Sequence, residues 1–366
     1  MAHSDSSTQP VRFPLAAIRE QCRAVFTAWG FPAAHAETTA DVMAHTDLSG
    51  IDSHGISMFI SYEQLFSAGA LNTAASPTVV RETPTMVLLD AQHGLGHPAG
   101  VAGMSKAIEK ARSTGVGVCS VFNSHHFGAA GYYAELAARE GYVGIATTSA
   151  RTTAVLPTGG AEPRLSTNPL SFAAPARRNE SFLLDMSTST VAINKIKVHD
   201  LNGERLPPGW FLDAAGHSVT DPSVALRSAW EGLGGGLTPL GGSLDSGGHK
   251  GYGLAMMVQL LSSAFSGGSL SALRRSDAPD NIGHFFLALD PGVLRPDGEF
   301  LDDVDEVIDA MHATPPVPGG EVLVAGEPEA RERAIRLEVG IPLGPSLLSR
   351  LAAICERTGA PFLLKG

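Results

Sequence analysis

The spacing of the apolar residues changes near residue 78, and this change restricts the fold more than any other feature of the sequence. Upstream, apolar side chains recur every three or four positions, as on one face of a helix: Leu15, Ile18, Cys22, Val25, Phe26 and Trp29. Downstream, short apolar runs take over, and such runs are typical of buried strands. A helical opening followed by a strand-rich middle section predicts an α/β protein.

Individual elements can be assigned from the same patterns. Helices are expected at 15–29, 34–48, 105–113, 129–140, 329–337 and 346–357, and strands at 86–90, 116–122, 143–148, 181–186 and 285–289. A strand, a helix and a second strand follow one another between residues 86 and 122, which predicts a βαβ unit. The glycine-rich stretch 232–253 and the polar stretch 267–280 are predicted to be mobile loops.

The composition argues against several classes of protein. The chain has 366 residues, 43% of them apolar, which is enough for a large core divided over two or three domains. A net charge of −11 with only 26 Lys and Arg argues against nucleic acid as a partner. Three widely spaced cysteines without a CxxC pair, and no apolar run long enough for a membrane span, favour a cytoplasmic protein with no membrane partner.

Two short segments place a histidine among small residues, and they are the strongest indication of catalysis. Segment 52–55, Asp-Ser-His-Gly, follows the second helix, and segment 124–128, Ser-His-His-Phe-Gly, follows a predicted strand. An imidazole titrates near neutral pH and can give or take a proton when a carbonyl is reduced. His54 and His126 are therefore acid/base candidates, whereas one of His125 and His126 is expected to be structural.

One stretch imitates a dinucleotide-binding fingerprint. A predicted strand at 86–90 precedes glycines at 94, 96 and 100 and then a helix, as in a Rossmann fold. However, three extra residues separate the strand from the first glycine, the third glycine comes one position late, and no acidic residue ends the second strand. If a nicotinamide cofactor binds, it is therefore expected to bind in some other way.

Metal and hydrolase chemistry are weaker alternatives. His54, His126 and His249 lack the HExxH or HxH spacing and the carboxylate clusters of zinc sites, so no metal is predicted. Ser53 and His54 make a poor nucleophilic pair, because adjacent residues rarely adopt that geometry and no nucleophile elbow is present. A metal-dependent hydrolase is the least favoured enzyme class.

Three further features suit an anionic or hydroxyl-bearing ligand. The stretch 128–131, Gly-Ala-Ala-Gly, opens a predicted helix whose N–H groups favour a phosphate, although tight packing of the helix start explains it equally well. Lys250 is a cation between glycines, with a solvated loop lysine as the alternative. Asp185 ends a predicted strand and would either accept hydrogen bonds from a ribose or cap a helix.

Seven motifs in one order make the chain resemble the type 2 malate/L-lactate dehydrogenase family. They lie at 52–55, 124–128, 167–170, 184–189, 250–254, 283–286 and 326–329. The resemblance extends from about residue 13 to residue 351. The family includes malate, sulfolactate and ureidoglycolate dehydrogenases as well as piperideine-2-carboxylate and diketogulonate reductases.

The resemblance implies both a fold and a function. The implied fold is a non-Rossmann, mixed and largely antiparallel sheet domain at 76–300 that binds the cofactor. A polar extension, 1–12, precedes a helical domain formed by 13–75 and 301–366. The implied function is that of a homodimeric oxidoreductase with NAD or NADP as cofactor. It would transfer a hydride between the nicotinamide and C2 of a small 2-hydroxy or 2-oxo acid such as malate, lactate or sulfolactate.

Matching positions also imply the residues of the site. His54 and His126 would transfer the proton, with Ser53 tuning His54. The implied cofactor contacts are His126, Phe127, Gly128, Ala129, Ala130, Ser149, Leu184, Asp185, Met186, Lys250, Gly326 and Glu327. The implied substrate contacts are Met58, Arg151, Thr167, Asn168 and Pro169.

Two positions depart from the pattern of the family. Many members carry an arginine that clasps the substrate carboxylate where this chain has Met58, so either another cation such as Arg151 replaces it or the substrate differs. Imine-reducing members carry an aspartate where this chain has Asn194, which favours a keto or hydroxy acid over a cyclic imine. A cyclic imine reductase and a cofactor-binding homologue with altered or lost activity are the alternatives.

Overall fold

The computed structural model describes residues 9–150, 152–273 and 279–365, so Arg151 and part of the predicted loop 267–280 lie outside the described residues. The helices are α1 (Leu15–Ala28), α2 (Ala33–Leu48), α3 (Phe59–Ser67), α4 (Gly96–Thr114), α5 (Ala130–Arg139), α6 (Ile193–Asn202), α7 (Pro222–Glu231), α8 (Gly248–Gln259), α9 (Glu299–His312), α10 (Glu327–Val339) and α11 (Pro345–Thr358). The strands are β1 (Val11–Phe13), β2 (Thr78–Glu82), β3 (Met86–Gly94), β4 (Val116–Ser124), β5 (Val143–Thr148), β6 (Leu170–Ala174), β7 (Phe182–Met186), β8 (Phe211–Leu212), β9 (Gly236–Leu237), β10 (Ile282–Leu289) and β11 (Ile341–Leu343).

One large sheet contains seven strands in the order β2-β3-β4-β10-β5-β6-β7. Strands β3 and β4 are parallel and joined by α4, which gives the βαβ unit predicted from the sequence. The other neighbouring strands of this sheet are antiparallel in the described part of the chain. Strand β10 comes from late in the chain and inserts between β4 and β5. The predicted mixed, largely antiparallel sheet is therefore confirmed.

Helix α4 packs on this sheet and begins nine residues earlier than the predicted helix at 105–113. Glycine disfavours a helix in isolation, so its first turns gave a weak helical signal. In the folded chain a Cβ on Gly100 would lie 2.5 Å from the Tyr133 ring, and one on Gly103 would lie 2.6 Å from the Phe286 ring. These glycines allow α4 to approach its neighbours closely. The tertiary packing that results stabilises the helix in spite of the low helix propensity of glycine.

A second core joins the two ends of the chain. Residues of α1, α2 and α3 pack with those of β11 and α11, and β1 pairs antiparallel with β11. Phe26 lies within it, with its ring centroid 5.7 Å from that of Trp29 and 4.9 Å from that of Phe59.

Helix α9, which the sequence analysis missed, does not belong to this core. It lies on the turn between β6 and β7, where the Asp305 carboxylate accepts backbone N–H groups of residues 177–179. The domain boundaries themselves stay a prediction.

A third core contains residues of the short strands β8 and β9 and of helices α6, α7 and α8. Helix α8 begins inside the stretch 232–253, which was expected to be a loop. Gly251 is needed there because a Cβ would overlap the backbone of Leu240, so this glycine marks a close approach within a helix. Lys250 consequently lies in the first turn of a helix and not in a loop. In the residues that the structure describes, no helix has the length and apolar character needed to cross a bilayer.

Candidate active site

A buried carboxyl group packs against the turn at 52–55 and fixes its backbone. Asp47, near the end of α2, accepts a hydrogen bond from the Ile56 N–H at 2.8 Å. Gly55 is required because a Cβ there would overlap the Asp47 carboxyl group. Burial raises the pKa of Asp47 to about 8. The motif therefore ends in glycine because a carboxyl group packs directly against the backbone.

The same turn is also fixed from the C-terminal part of the chain. The buried guanidinium of Arg336 in α10 forms an ion pair with Asp52 and donates to the Asp47 carbonyl oxygen at 2.7 Å. Ser53 Oγ then lies 2.7 Å from His54 Nδ1. Ser53 thus holds the Nδ1 nitrogen of His54 by a hydrogen bond.

The second motif separates its two histidines because β4 ends at Ser124. His125 is structural: its Nε2 lies 3.1 Å from the Ala70 carbonyl oxygen and its Nδ1 lies 3.4 Å from the Asp280 carboxylate. His126 turns the other way, and its Nδ1 lies 2.8 Å from the Tyr62 hydroxyl oxygen.

The two candidate histidines come together, with their ring centroids 5.4 Å apart. Burial lowers the pKa of His54, and burial together with the neighbouring His54, His97 and His284 lowers the pKa of His126 well below its usual range. Both rings are therefore neutral at neutral pH. The Gly128 N–H donates to His126 Nδ1 at 3.3 Å, and this hydrogen bond assigns the proton of the neutral ring to Nε2.

Two side chains that the sequence analysis missed support His126. Tyr62, in α3, is buried and hydrogen-bonds His126, but no motif surrounds it in the sequence. His97 Nε2 lies 3.5 Å from the Tyr62 hydroxyl oxygen, and burial lowers the pKa of His97 to about 3. His97 belongs to the rejected fingerprint, so the signal was present in that stretch but indicated a different chemistry.

The structure also explains the glycines of that fingerprint. The Gly96 N–H donates to the His126 carbonyl oxygen at 3.0 Å, and a Cβ on Gly96 would lie 2.5 Å from the His125 carbonyl oxygen. Protein backbone therefore covers the N-terminus of α4. No room is left for a pyrophosphate, in agreement with the rejection of a Rossmann site.

Two clefts meet at the histidine pair. The first, called the narrow cleft here, has a volume of about 410 Å³, and the second, the wide cleft, about 1050 Å³. Ser53, His54 and Thr167 line both. The narrow cleft also contains many of the predicted cofactor and substrate contacts: Gly128, Ala129, Ala130, Pro169, Leu184, Asp185, Met186 and Gly326. His126 and Met58 line the wide cleft.

The walls of the narrow cleft have the chemistry of a dinucleotide site. The Asp185 side chain opens into the cleft, and its Oδ2 accepts the Gly131 N–H of α5 at 2.7 Å. Desolvation by the surrounding protein raises the pKa of the Asp185 carboxyl to about 6, so the group is ionised at neutral pH. Gly326 has no room for a Cβ, which would lie 2.9 Å from Leu183 Cβ. Small residues at a helix N-terminus and an ionised carboxylate suit phosphates and ribose hydroxyls.

His45, Glu135 and Arg333 form another part of the lining of the narrow cleft. The Glu135 carboxylate lies 3.1 Å from His45 Nε2, 3.0 Å from Arg139 and 3.9 Å from Arg333. Burial opposes ionisation of Glu135, but the hydrogen bond from His45 and these charges outweigh it and lower the pKa to about 2. The acid is thus fully ionised and paired.

Several predicted contacts lie outside the lining of both clefts. Phe127 packs in the core with its ring 4.6 Å from that of His284, and Ser149 is buried. Asn168 is buried as well, and its amide donates to the Ala255 carbonyl oxygen at 2.9 Å. These side chains hold the strands around the site together, since neighbours in a motif point in opposite directions in extended backbone.

Two charged predicted contacts also lie away from the clefts. Lys250 is exposed on α8 and lines neither cleft. Glu327, at the start of α10, accepts the Val324 N–H at 2.9 Å and lies 2.8 Å from His312. Its carboxylate therefore stabilises the turn that carries Gly326.

No metal centre is formed by the described residues. Within 9–150, 152–273 and 279–365, no three His, Cys, Asp or Glu side chains come together as a set of ligands. His249 is exposed at the start of α8 and lines neither cleft that contains His54.

Comparison with known proteins places the chain among the oxidoreductases. More particularly, it belongs to the malate/L-lactate dehydrogenase family, whose sequence profile matches residues 13–352, as the motifs predicted. The malate dehydrogenase of Pyrococcus abyssi is 39% identical over 93% of this chain and 92% of its own. The L-sulfolactate dehydrogenase of Methanocaldococcus jannaschii is 34% identical over 92% and 94%.

Two further comparisons extend this finding. A Pseudomonas putida reductase of Δ1-pyrroline-2-carboxylate and Δ1-piperideine-2-carboxylate is 32% identical over 92% of this chain and 94% of its own. The solved malate dehydrogenase of Pyrococcus horikoshii superposes with a TM-score of 0.86 at 33% identity, covering 99% of both chains. The whole fold is therefore shared with solved dehydrogenases.

Proposed function

We propose that this protein is an NAD- or NADP-dependent dehydrogenase of small 2-hydroxy acids that also reduces the matching 2-oxo acids. The observation that carries the proposal is the meeting of the two clefts at His54, with His126 5.4 Å away between ring centroids. A cofactor and a substrate that occupied separate clefts would meet at a pair of neutral imidazoles. The malate and sulfolactate dehydrogenases among the relatives support this class of substrate.

The narrow cleft is the proposed cofactor site. The N–H groups of Ala129 and Ala130 at the start of α5 would hold the phosphates, since those of Gly128 and Gly131 already donate to His126 and Asp185. Asp185 would accept hydrogen bonds from ribose hydroxyls. When bound, the nicotinamide supplies or accepts the hydride at C2 of the acid. The protein contributes the binding, the orientation and the proton.

Proton transfer is assigned to the histidine pair. During reduction, the imidazolium form of His54 would donate a proton to the oxygen that develops negative charge on the substrate, and the ring would become neutral. During oxidation, the neutral imidazole would take the proton of the hydroxyl group. Tyr62 and the Gly128 N–H hold Nδ1 of His126, so its Nε2–H would donate a hydrogen bond to the substrate oxygen, while the proton itself would pass to and from His54.

Two further parts of the proposal concern assembly and location. A homodimer is proposed from the resemblance to the family. A cytoplasmic location is proposed because Cys22, Cys119 and Cys355 are all buried thiols rather than disulfides.

Absorbance of the reduced nicotinamide tests the proposal directly. Purified protein would be mixed with NADH or NADPH and, in turn, pyruvate, oxaloacetate, larger 2-oxo acids and the cyclic imine Δ1-piperideine-2-carboxylate. Oxidation with a 2-oxo acid is the expected result. Oxidation with the cyclic imine alone would assign the protein to the imine reductases, and no binding of either nucleotide would contradict the proposed cofactor site.

A further inference from the structure

We propose that the preferred substrates of this enzyme are 2-hydroxy and 2-oxo acids with a bulky apolar side chain, rather than dicarboxylic or sulfonated acids. The inference rests on the proposed function, and it concerns the part of the substrate that faces away from the nicotinamide. It follows from the size, the apolar walls and the charges of the wide cleft.

The size of the wide cleft exceeds the needs of a three- or four-carbon acid. Its volume of about 1050 Å³ is more than twice that of the narrow cleft. Pockets of roughly 300–1,000 Å³ are typical of sites that enclose much larger ligands. A substrate as small as malate would leave most of this cleft in contact with water.

Large apolar side chains line the wide cleft on several sides. They are Met58, Leu65, Ile193, Trp230, Leu233 and Ile282. Trp230 and Leu233 are 65% and 61% exposed, which is high for residues of this type. An apolar substrate side chain would remove this surface from water, whereas a charged one would lose hydration against it.

The charges of the lining do not favour a second anionic group. Among the lining residues that the structure describes, there is no Lys or Arg. Two acids are present, and each has a partner: Glu162 lies 2.7 Å from Arg164, and Asp280 lies 3.4 Å from His125. The described part of the lining therefore offers a second carboxylate or a sulfonate no Lys or Arg to offset its desolvation.

The one carboxylate that all 2-hydroxy and 2-oxo acids share is easier for the wide cleft to bind than a second anionic group. Polar groups of the same lining, Ser61, Gln64, Ser166 and Asn194, offer neutral hydrogen-bond donors. Neutral donors satisfy one anion at lower affinity than an arginine clasp does. The apolar contacts would then provide the discrimination between side chains.

The test compares kcat/KM for 3-phenylpyruvate and 4-methyl-2-oxopentanoate with kcat/KM for oxaloacetate and 3-sulfopyruvate, using the full-length protein and the better nicotinamide. We expect at least a tenfold preference for the apolar acids. A preference for oxaloacetate or 3-sulfopyruvate overturns this inference but supports the proposed function. If neither nucleotide binds and no acid reacts, the proposed function fails as well.

A charge-introducing variant makes the test sharper. Met58→Arg places a cation in the wide cleft and is expected to raise kcat/KM for oxaloacetate about tenfold while lowering it for 3-phenylpyruvate. The matched control is Met311→Arg, since Met311 is exposed on α9 and lines neither cleft. If Met58→Arg and the control behave alike, the wide cleft does not select the side chain.

A binding measurement without turnover completes the design. NADH-loaded protein cannot oxidise a hydroxy acid, so 3-phenyllactate and malate can be compared as ligands by thermal shift. The expected result is a larger rise in Tm with 3-phenyllactate. An equal or larger rise with malate contradicts the inference independently of catalysis.

Discussion

The narrow and wide clefts meet at one histidine pair but are built in different ways. The narrow cleft depends on backbone and small residues, and at Gly131 and Gly326 a Cβ would lie 2.8 Å from Asp185 and 2.9 Å from Leu183. The wide cleft is lined by large side chains such as Met58 and Trp230. Substitution can reshape a wall of side chains more easily than one of backbone. One fold can therefore keep a cleft built of backbone while substitutions of side chains change what the other cleft binds.

Removal of the His126 ring is the largest change predicted, and it should affect the wide cleft alone. For His126→Ala we expect kcat to fall by roughly 10²–10³-fold, because a hydrogen-bond donor to the developing charge on the substrate oxygen is lost. The dissociation constant for NADH, measured by fluorescence titration, should rise by no more than about threefold, since His126 does not line the narrow cleft. His217→Ala, at an exposed side chain, is the control. Unchanged turnover in His126→Ala would remove this residue from the mechanism.

A smaller loss is predicted when the support of His126 is weakened. Tyr62→Phe removes the hydroxyl that lies 2.8 Å from His126 Nδ1 and should lower kcat about tenfold, the value of one good hydrogen bond. Because that hydrogen bond favours the neutral ring, its loss should raise the pKa of His126 and move the acidic limb of the pH profile of kcat to higher pH. KM for the acid should change little. A uniform loss of activity without a shifted profile would indicate a packing role only.

The sequence predicted the two histidines but not their support, and the reason is physical. His54 and His126 stand in short motifs that are visible without a fold. Tyr62 reaches His126 across 64 positions of sequence, and His97 stands in a stretch that imitates another kind of site. Contacts between distant segments depend on tertiary packing, which local patterns do not contain.

The helices and strands also divide into those that local sequence patterns predicted and those that they did not. The βαβ unit, β5 and the terminal helices follow local periodicity and were predicted. Helix α9 was missed although its apolar residues Leu301, Val304 and Ile308 recur at helical spacing, and the start of α8 was missed because glycines usually mark loops. Phe127 and Asn168 were assigned to the site since they lie next to residues that line the clefts, but their own side chains are buried. A residue's position next to a motif helps to locate a site, but it does not determine where that residue's side chain points.

The narrow cleft can be tested by itself through Asp185. Asp185→Asn should raise the dissociation constant for NADH about fivefold, because an ionised acceptor of hydroxyl groups is lost, while kcat at saturating NADH stays close to the original value. In the original protein, affinity for NADH should also fall as pH drops through about 6, where Asp185 becomes protonated, and the variant should lack this step. Asp213→Asn, in an exposed turn, is the control. Equal pH dependence in both proteins would exclude Asp185 as the titrating group.

The smallest predicted effect concerns Asp47, which supports the turn shared by both clefts. Its pKa is about 8 in the folded chain and about 3.9 in an unfolded one, so the folded state holds an extra proton between these values. Stability must therefore fall as pH rises through this window, because ionisation then favours the unfolded chain. The side-chain amide of an Asp47→Asn variant would not titrate.

Thermal melts of the original protein and Asp47→Asn across this pH window measure the effect. The Tm of the original protein should fall by a few degrees relative to the variant between about pH 4 and about pH 8. The variant keeps an acceptor for the Ile56 N–H, so a constant offset in Tm would report only packing. If the difference in Tm does not change with pH, Asp47 is ionised in the folded state and Arg336 must act as its counter-ion. The turn would then be held by charge, and both clefts would depend on the same ion pair.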